Sequence, residues 1–183
     1  MTASDVDGPL ELEQRTYAWT PIRSDVHPLT YWSGIDYFRA LIDGTLPAQP
    51  ITETIGWTIE AVDLGYLRVS LEPAGHLMHG AGIMHGGILA TLLDSVMSGA
   101  VMSTLPRGQA CTTLQLSINH LQRVRPTTGR LTAEGRTVHA GRQIATASGT
   151  VVGPTGRLHA HGTETCLLFD LPSAEGAGVE GTR

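Results

Sequence analysis

The sequence predicts an α+β fold in which one antiparallel sheet of about six strands is covered on one face by a single long helix. Three observations predict this fold. Segments that alternate apolar and polar residues flank one largely apolar stretch of helical length. Gly and Pro residues separate the strand-like segments at the intervals of hairpins. The chain has 183 residues and no internal repeat, which is the size of one domain with one core.

The chain divides into an arm, a domain and a tail. Residues 1–32 are polar and acidic with scattered Pro, and we predict a mobile arm. The domain is expected over 33–170. The remainder, 171–183, is rich in Gly and Ala and is predicted to be disordered.

The elements of the domain follow in order. Ser33 can cap a short N-terminal helix that Gly44 ends. A hairpin is predicted about Asp63-Leu64-Gly65, and after a long helix four more strands read as an antiparallel meander. The predicted strands cover 55–62, 67–73, 112–121, 129–139, 143–152 and 157–169, and the long helix runs from Gly86 to Thr104.

Charge and composition exclude several classes of function. Twelve Lys and Arg against seventeen Asp and Glu leave a net charge of −5, which argues against nucleic-acid partners and anionic membranes. Charged residues make up only 16%, so self-association is expected to cover part of the surface. No signal peptide is readable and no apolar run reaches the roughly 18 residues of a membrane span. A cytoplasmic location is therefore expected.

Asp94 is the first candidate catalytic residue. From Pro73 to Pro106 the chain contains no Lys, Arg or Glu and a single Asp, in the middle of the apolar helix. Apolar neighbours on every side predict that the helix is buried all round. A buried carboxylate is costly unless it is paired, and a raised pKa suits a general base or nucleophile.

His85-Gly86-Gly87, at the start of the long helix, is the second candidate feature. Glycine permits close approach, and the first N–H groups of a helix are unpaired donors, so the triplet can form an oxyanion hole. Gly86 and Asp94 are eight residues apart, roughly 12 Å along the axis. Both must lie about 3 Å from one reacting group, so we expect Asp94 to meet the helix start of another subunit in a two-fold dimer.

These residues resemble a known family. One segment, between a hairpin and four strands, is similar to the hotdog-fold acyl-CoA thioesterases of the phenylacetic-acid-degradation (PaaI) type. It reads Met84-His-Gly-Gly-Ile-Leu-Ala-Thr-Leu-Leu-Asp94-Ser-Val-Met-Ser-Gly99. The resemblance covers residues 50–169. It implies a curved sheet wrapped around the long helix, in homodimers that often pair again into homotetramers. It also implies hydrolysis of an acyl-CoA thioester, with no cofactor because coenzyme A is part of the substrate.

The resemblance assigns roles to six residues. Asp94 would act as base or nucleophile on the thioester, the Gly86 N–H would polarise its oxygen, and His85 would shape the turn. Ser98 and Thr113 match polar positions that orient water or the carboxylate. His79 stands where the family usually has Asn or Gln, and an imidazole there carries a charge that varies near neutral pH.

Coenzyme A is expected near the turn before the fifth strand. There Arg142 can meet a phosphate and Gly141 allows close approach of the backbone. His139 and Gln143 flank them, and Gln115 and His120 match positions on the pantetheine side. Arg123 and Arg125 add further positive charge. The acyl pocket is expected between the two helices of the dimer, lined in part by Leu89, Leu92, Met97 and Met102.

Other interpretations are weaker or remain open. A zinc site could be drawn from His76, His79 and His85, but no HExxH motif or Cys pair supports it. A serine hydrolase lacks its GxSxG motif. The main alternative is a catalytically silent hotdog module that binds acyl-CoA or acyl groups, because His79 departs from the family pattern.

Overall fold

The computed structural model describes residues 11–22 and 27–172. The start of the predicted arm, residues 23–26 and most of the predicted tail lie outside the described residues. Within these residues there are three α-helices: α1, Gly34–Ile42; α2, Pro50–Ile55; and α3, Gly86–Ser103. Six strands follow the expected order: β1, Trp57–Asp63; β2, Tyr66–Leu71; β3, Gln109–His120; β4, Leu131–Ala140; β5, Ile144–Val152; and β6, Leu158–Asp170.

The six strands form one antiparallel sheet in the order β1-β2-β4-β5-β6-β3. Helix α3 packs across one face of this sheet and touches all six strands. The main core lies between them and includes Leu92, Leu93, Val96 and Met97 of the helix. The hotdog fold expected from the sequence is confirmed.

Local sequence explains most of the element boundaries. The Ser33 hydroxyl accepts the Asp36 N–H and caps α1. Gly65 turns the β1–β2 hairpin at φ 71°, in the left-handed region that favours glycine. Both features were predicted.

Helix α2 was not predicted, and the proposed start of a strand at residue 55 is wrong. Ile55 instead ends this six-residue helix. Pro50 occupies its first turn, where a missing N–H costs nothing, and Gly56 ends it at φ 92°. Six residues are too few for the helical spacing of apolar side chains to show in the sequence.

Helix α3 is not buried on every side, which corrects the sequence-based expectation. One face is wholly buried, with Leu89, Leu92 and Met97 at most 4% exposed. These three are core residues, so their expected place in an acyl pocket is wrong. The opposite stripe is more open: Gly87 is exposed, and the other members are half-buried, namely Thr91, Asp94, Ser95, Ser98 and Met102.

By length and composition alone, α3 could cross a membrane. Half of the helix is buried inside the protein, against the sheet. Burial of this kind is typical of a core helix, which passes the same test.

The segment before α1 is partly packed. Leu29 lies in a short 3₁₀ turn within the predicted arm and is 1% exposed, in a second cluster with Tyr37 and Phe38. Further upstream, residues 11–22 are exposed and contain no helix or strand. The Arg15 guanidinium there donates to the carbonyl groups of Glu53 and Thr54 at the end of α2.

Strand β3 lies at one edge of the sheet and contains a β-bulge at Leu114. Thr113 pairs with Cys166, whereas Gln115 pairs with Thr165, so one extra residue is inserted. A bulge reverses the alternation of faces. The half-buried positions are consequently 109, 111 and 113 before the bulge, and 116 and 118 after it.

Candidate active site

The Asp94 carboxylate is held by Thr113 from the edge strand. Asp94 is half-buried on the open stripe of α3, and its Oδ1 accepts the Thr113 hydroxyl at 3.1 Å. Thr113 lies directly before the bulge of β3, on the same half-buried face as Cys111. A positioned, half-buried carboxylate suits a general base or nucleophile.

A second carboxyl group lies behind this pair. The Thr113 hydroxyl also lies 2.8 Å from Glu164 Oε1, on β6. Sequence reasoning missed Glu164. A signal was present, because strict alternation along β6 puts residue 164 on the same face as Ala160 and Cys166, which is an unusual place for an acid.

Helix α3 starts at Gly86, as predicted. His85 caps the helix, and its Nδ1 accepts the Gly87 N–H at 3.0 Å. Its carbonyl accepts the Ile88 N–H. Neither of these two hydrogen bonds involves the N–H of Gly86, the first residue of the helix. The cap therefore leaves this donor unused. The His120 ring at the end of β3 lies against Gly86, 3.4 Å from where a Cβ would stand.

Ser98 and His79 make local contacts. The Ser98 hydroxyl donates to the Asp94 carbonyl at 2.6 Å, one turn earlier in the helix, rather than to the carboxylate. His79 lies in an exposed turn, where its Nδ1 accepts the Ala81 N–H at 3.0 Å. The structure therefore joins Asp94 and Thr113 directly and leaves His79 with a contact inside its own turn.

A pocket of about 100 Å³ lies beside Asp94. Ser98, Gly99 and Met102 line it from α3, and Phe38 and Trp57 close it from α1 and β1. Of the four residues expected to line an acyl pocket, only Met102 borders this one.

The predicted coenzyme A residues fall into three places. Gln115, after the bulge, is exposed and lies on the face opposite to Thr113. His120 contacts Gly86 instead. The β4–β5 hairpin carries the others, and its Gly141 N–H bonds to Ile144 O at 2.9 Å; His139, Arg142 and Gln143 are exposed there.

A further pocket of about 460 Å³ lies at the other end of the sheet. Arg123, Arg125 and Arg157 border it, and no carboxylate is among its lining residues. Arg157 was not singled out from the sequence. Its guanidinium donates to Gln122 Oε1 at 2.8 Å.

The three histidines of the possible zinc site, His76, His79 and His85, all lie in the described part of the chain. No group of three or more His, Cys, Asp or Glu side chains there could hold a metal ion. His76 instead lies 3.0 Å from an Arg15 nitrogen, in an exposed contact.

Comparison with known proteins identifies the family. Residues 81–160 match the family model of the thioesterase superfamily. A protein of Halobacterium salinarum named "Putative esterase" is 31% identical over 137 residues, which cover 72% of this chain and 89% of that protein. The chain belongs to the thioesterase superfamily.

Solved structures of similar proteins agree with this assignment. A phenylacetic acid degradation-related protein from Ralstonia eutropha is 30% identical with a TM-score of 0.66, and the match covers 72% of this chain and 98% of that one. A hypothetical thioesterase from Streptococcus pneumoniae, solved with coenzyme A, is 29% identical with a TM-score of 0.58. That match covers 64% of this chain and 88% of the other. The resemblance to PaaI-type thioesterases is confirmed.

Proposed function

We propose that this thioesterase-superfamily protein hydrolyses an acyl-CoA thioester to a free acid and coenzyme A. The observation that carries the proposal is the half-buried Asp94 carboxylate, which accepts the Thr113 hydroxyl on a helix whose first N–H, at Gly86, is available to a ligand. The coenzyme A bound to the Streptococcus pneumoniae relative supports the substrate class.

The reaction adds water across the C–S bond. As general base, Asp94 takes a proton from water while the water oxygen attacks the thioester carbonyl. The Gly86 N–H, at the positive end of the α3 dipole, stabilises the oxyanion that forms. The tetrahedral intermediate then expels the thiolate, which recovers the proton. As nucleophile, Asp94 would attack the carbonyl and displace the thiolate to form a mixed anhydride; water then hydrolyses the anhydride, which regenerates the Asp94 carboxylate, frees the acid and supplies the proton for the thiolate.

Each site is completed by a second subunit in this proposal, because Gly86 and Asp94 lie about two turns apart on one helix. The edge strand β3 supports a dimer. It is twelve residues long, contains no Pro, Asp, Glu, Lys or Arg, and has Leu114 57% exposed. An unprotected edge of this length is a template for pairing with another strand.

Antiparallel pairing of two β3 strands would bring the two features together. Gly86 lies beside His120 at the end of β3, and Asp94 lies beside Thr113 near its start. A two-fold axis near residues 116–117 places the end of one strand opposite the start of the other. Gly86 of one subunit would then face Asp94 of its partner.

A complementation experiment tests the shared site. Asp94→Asn chains and Gly86→Pro chains should each be nearly inactive alone. In a mixed dimer, one site combines the intact Asp94 of one chain with the intact Gly86 of the other. We expect a refolded equimolar mixture to regain about one quarter of parental turnover, since half of the dimers are mixed and each has one of two sites intact.

Thiol release from the mixture measures this recovery. The control is a mixture of Asp94→Asn chains with Asp94→Asn,Gly86→Pro chains, which contains no intact site. Verified subunit exchange without recovered activity would assign both groups to one chain.

The nucleotide end of coenzyme A is proposed to lie at the β4–β5 hairpin. Thr113 pairs with Cys166, which pairs with Ala145, so the hairpin lies two strands and roughly 10 Å from the site. We expect Arg142→Ala to raise KM for an acyl-CoA about tenfold, because a charge-assisted hydrogen bond to phosphate is lost. KM for the same acyl group on N-acetylcysteamine, which has no phosphate, should not change.

Arg123→Ala is the matched control for Arg142→Ala. It removes an arginine from the pocket at the opposite end of the sheet. A rise in KM for Arg123→Ala alone would show that the nucleotide binds in that pocket and not at the β4–β5 hairpin.

The alternative is a hotdog module that binds acyl-CoA without hydrolysing it. His79 favours it, because the family resemblance implies an Asn or Gln at this position. Thiol release from a panel of acyl-CoAs separates the two functions, because a silent module binds the esters and leaves the thiol concentration constant.

A further inference from the structure

Glu164 is a buried acid to which neither the family resemblance nor the sequence assigns a role. Its side chain is 1% exposed and lies on the inward face of β6. In the described part of the chain, neither Glu164 nor Asp94 forms an ion pair. An ionised carboxylate in this position costs several kcal/mol, so a neutral acid is favoured there.

The contacts around Glu164 require a proton. Thr113 Oγ1 lies 2.8 Å from Glu164 Oε1 and 3.1 Å from Asp94 Oδ1. A hydroxyl group has one proton and can donate to only one of two carboxylates. If both acids were ionised, one of the two short contacts would join two oxygens with no hydrogen between them.

A protonated Glu164 satisfies both contacts. Its O–H donates to Thr113 Oγ1, and the Thr113 hydroxyl then donates to Asp94. The Cys166 thiol also lies 3.2 Å from Glu164 Oε1, as a donor. Glu164 Oε2 has no hydrogen-bond partner among the described residues, which costs less for the carbonyl oxygen of a neutral acid than for an ionised carboxylate.

We propose that Glu164 is a positioning residue: as the neutral acid it donates to Thr113, which turns the Thr113 hydroxyl toward Asp94 and fixes the direction of the Asp94 carboxylate. The catalytic part of this inference rests on the proposed hydrolysis. The inference that the carboxyl groups of Glu164 and Asp94 share one proton does not depend on that hydrolysis.

The surroundings of Glu164 support this arrangement near neutral pH. Burial raises the pKa of Glu164 to about 7. Hydrogen bonds from Thr113, Cys166 and the Ser98 backbone oppose this rise, and the Asp94 charge adds to it. The groups that face Glu164 are Asp94 from α3, Thr113 and Cys111 from β3, and Cys166 from its own strand; β5 contributes the uncharged Ala147. Above this pH Glu164 loses its proton, and the single Thr113 hydroxyl proton can bond to only one of the two carboxyl groups.

The first test is the pH dependence of hydrolysis. We expect kcat of the parent to fall several-fold as the pH rises through about 7, because the hydrogen bond to Asp94 is lost. Glu164→Gln should remove that fall, since the amide donates to Thr113 at every pH. Glu164→Leu should lower kcat about tenfold at pH 6, because it removes the donor at a similar volume.

Two further variants test whether the fall in kcat arises from Glu164 acting through Thr113. Cys111→Ala should keep the fall, because its thiol is not the titrating group. In a Thr113→Val background, Glu164→Gln should have no effect on the pH profile, since the link to Asp94 is missing. Superimposable profiles for the parent and Glu164→Gln would overturn the positioning role.

The second test does not depend on activity. A folded-state pKa raised above its ordinary value of 4.5 lowers stability as pH rises from 4.5 to about 7, because the folded state binds the extra proton. Glu164→Gln has no titrating group at this position, so its stability lacks this dependence on pH. We expect its Tm relative to the parent to rise by about 5 °C between pH 5 and pH 8.5.

The two tests separate the two proposals. A Tm difference that is constant with pH overturns the proton sharing, whether or not the protein hydrolyses thioesters. A pH-dependent Tm difference in a protein that releases no thiol supports the shared proton and contradicts the proposed hydrolysis.

Discussion

Asp94→Asn is expected to lower kcat for acyl-CoA hydrolysis about 10³-fold while Tm stays within a few degrees of the parent. The amide is nearly isosteric, and its oxygen can still accept the Thr113 hydroxyl, so the contact at 3.1 Å survives. It is not basic and cannot take a proton from water. Thiol release measures the loss, and calorimetry measures the retained fold.

Asp43→Asn is the matched control for the loss of a carboxylate. Asp43 is exposed at the end of α1, where its oxygen accepts the Thr45 N–H, a bond that an amide oxygen also makes. Its turnover should equal that of the parent. A fully active Asp94→Asn enzyme would remove Asp94 from the mechanism.

Gly86→Pro is expected to lower kcat 10²-fold to 10³-fold, about the effect of removing one oxyanion donor. Proline removes the N–H and is tolerated at the first position of a helix. The preceding residue, His85, has ψ 132°, a conformation that suits a residue before proline. The helix should therefore start as before, without its first donor.

Gly86→Ala isolates the donor from steric effects. Alanine keeps the N–H and adds a Cβ 3.4 Å from the His120 ring, so any cost of crowding appears in this variant. We expect Gly86→Ala to retain most of the turnover that Gly86→Pro loses. Equal losses in both variants would mean that the contact with His120, rather than the N–H, matters at this position.

Several features of the site could be predicted from the sequence because the physics behind them is local. A single acid in 34 residues without Lys, Arg or Glu marks Asp94 without any knowledge of its neighbours. The triplet at 85–87 marks the start of α3, because a cap and two glycines act on the backbone next to them. The structure confirms both positions within the fold.

Other features could not be predicted, because they depend on face and register. Gln115 lies two residues after Thr113, and simple alternation would place both on one face of β3. The bulge at Leu114 puts them on opposite faces. Helix α2 was not predicted for a related reason. Its six residues contain too little periodic signal to outweigh the strand propensity of Ile55 and Trp57.

The sequence by itself determined the order of the elements, the helix start at Gly86 and the isolated acid at Asp94, because capping, turns and periodicity act over a few residues. Only the tertiary structure decided that Thr113 stands between Asp94 and Glu164, residues 70 positions apart in the chain that meet through the packing of α3 on β3 and β6. Pairing of strands that are distant in the chain sets such contacts. No local sequence pattern predicts which side chains will share a proton.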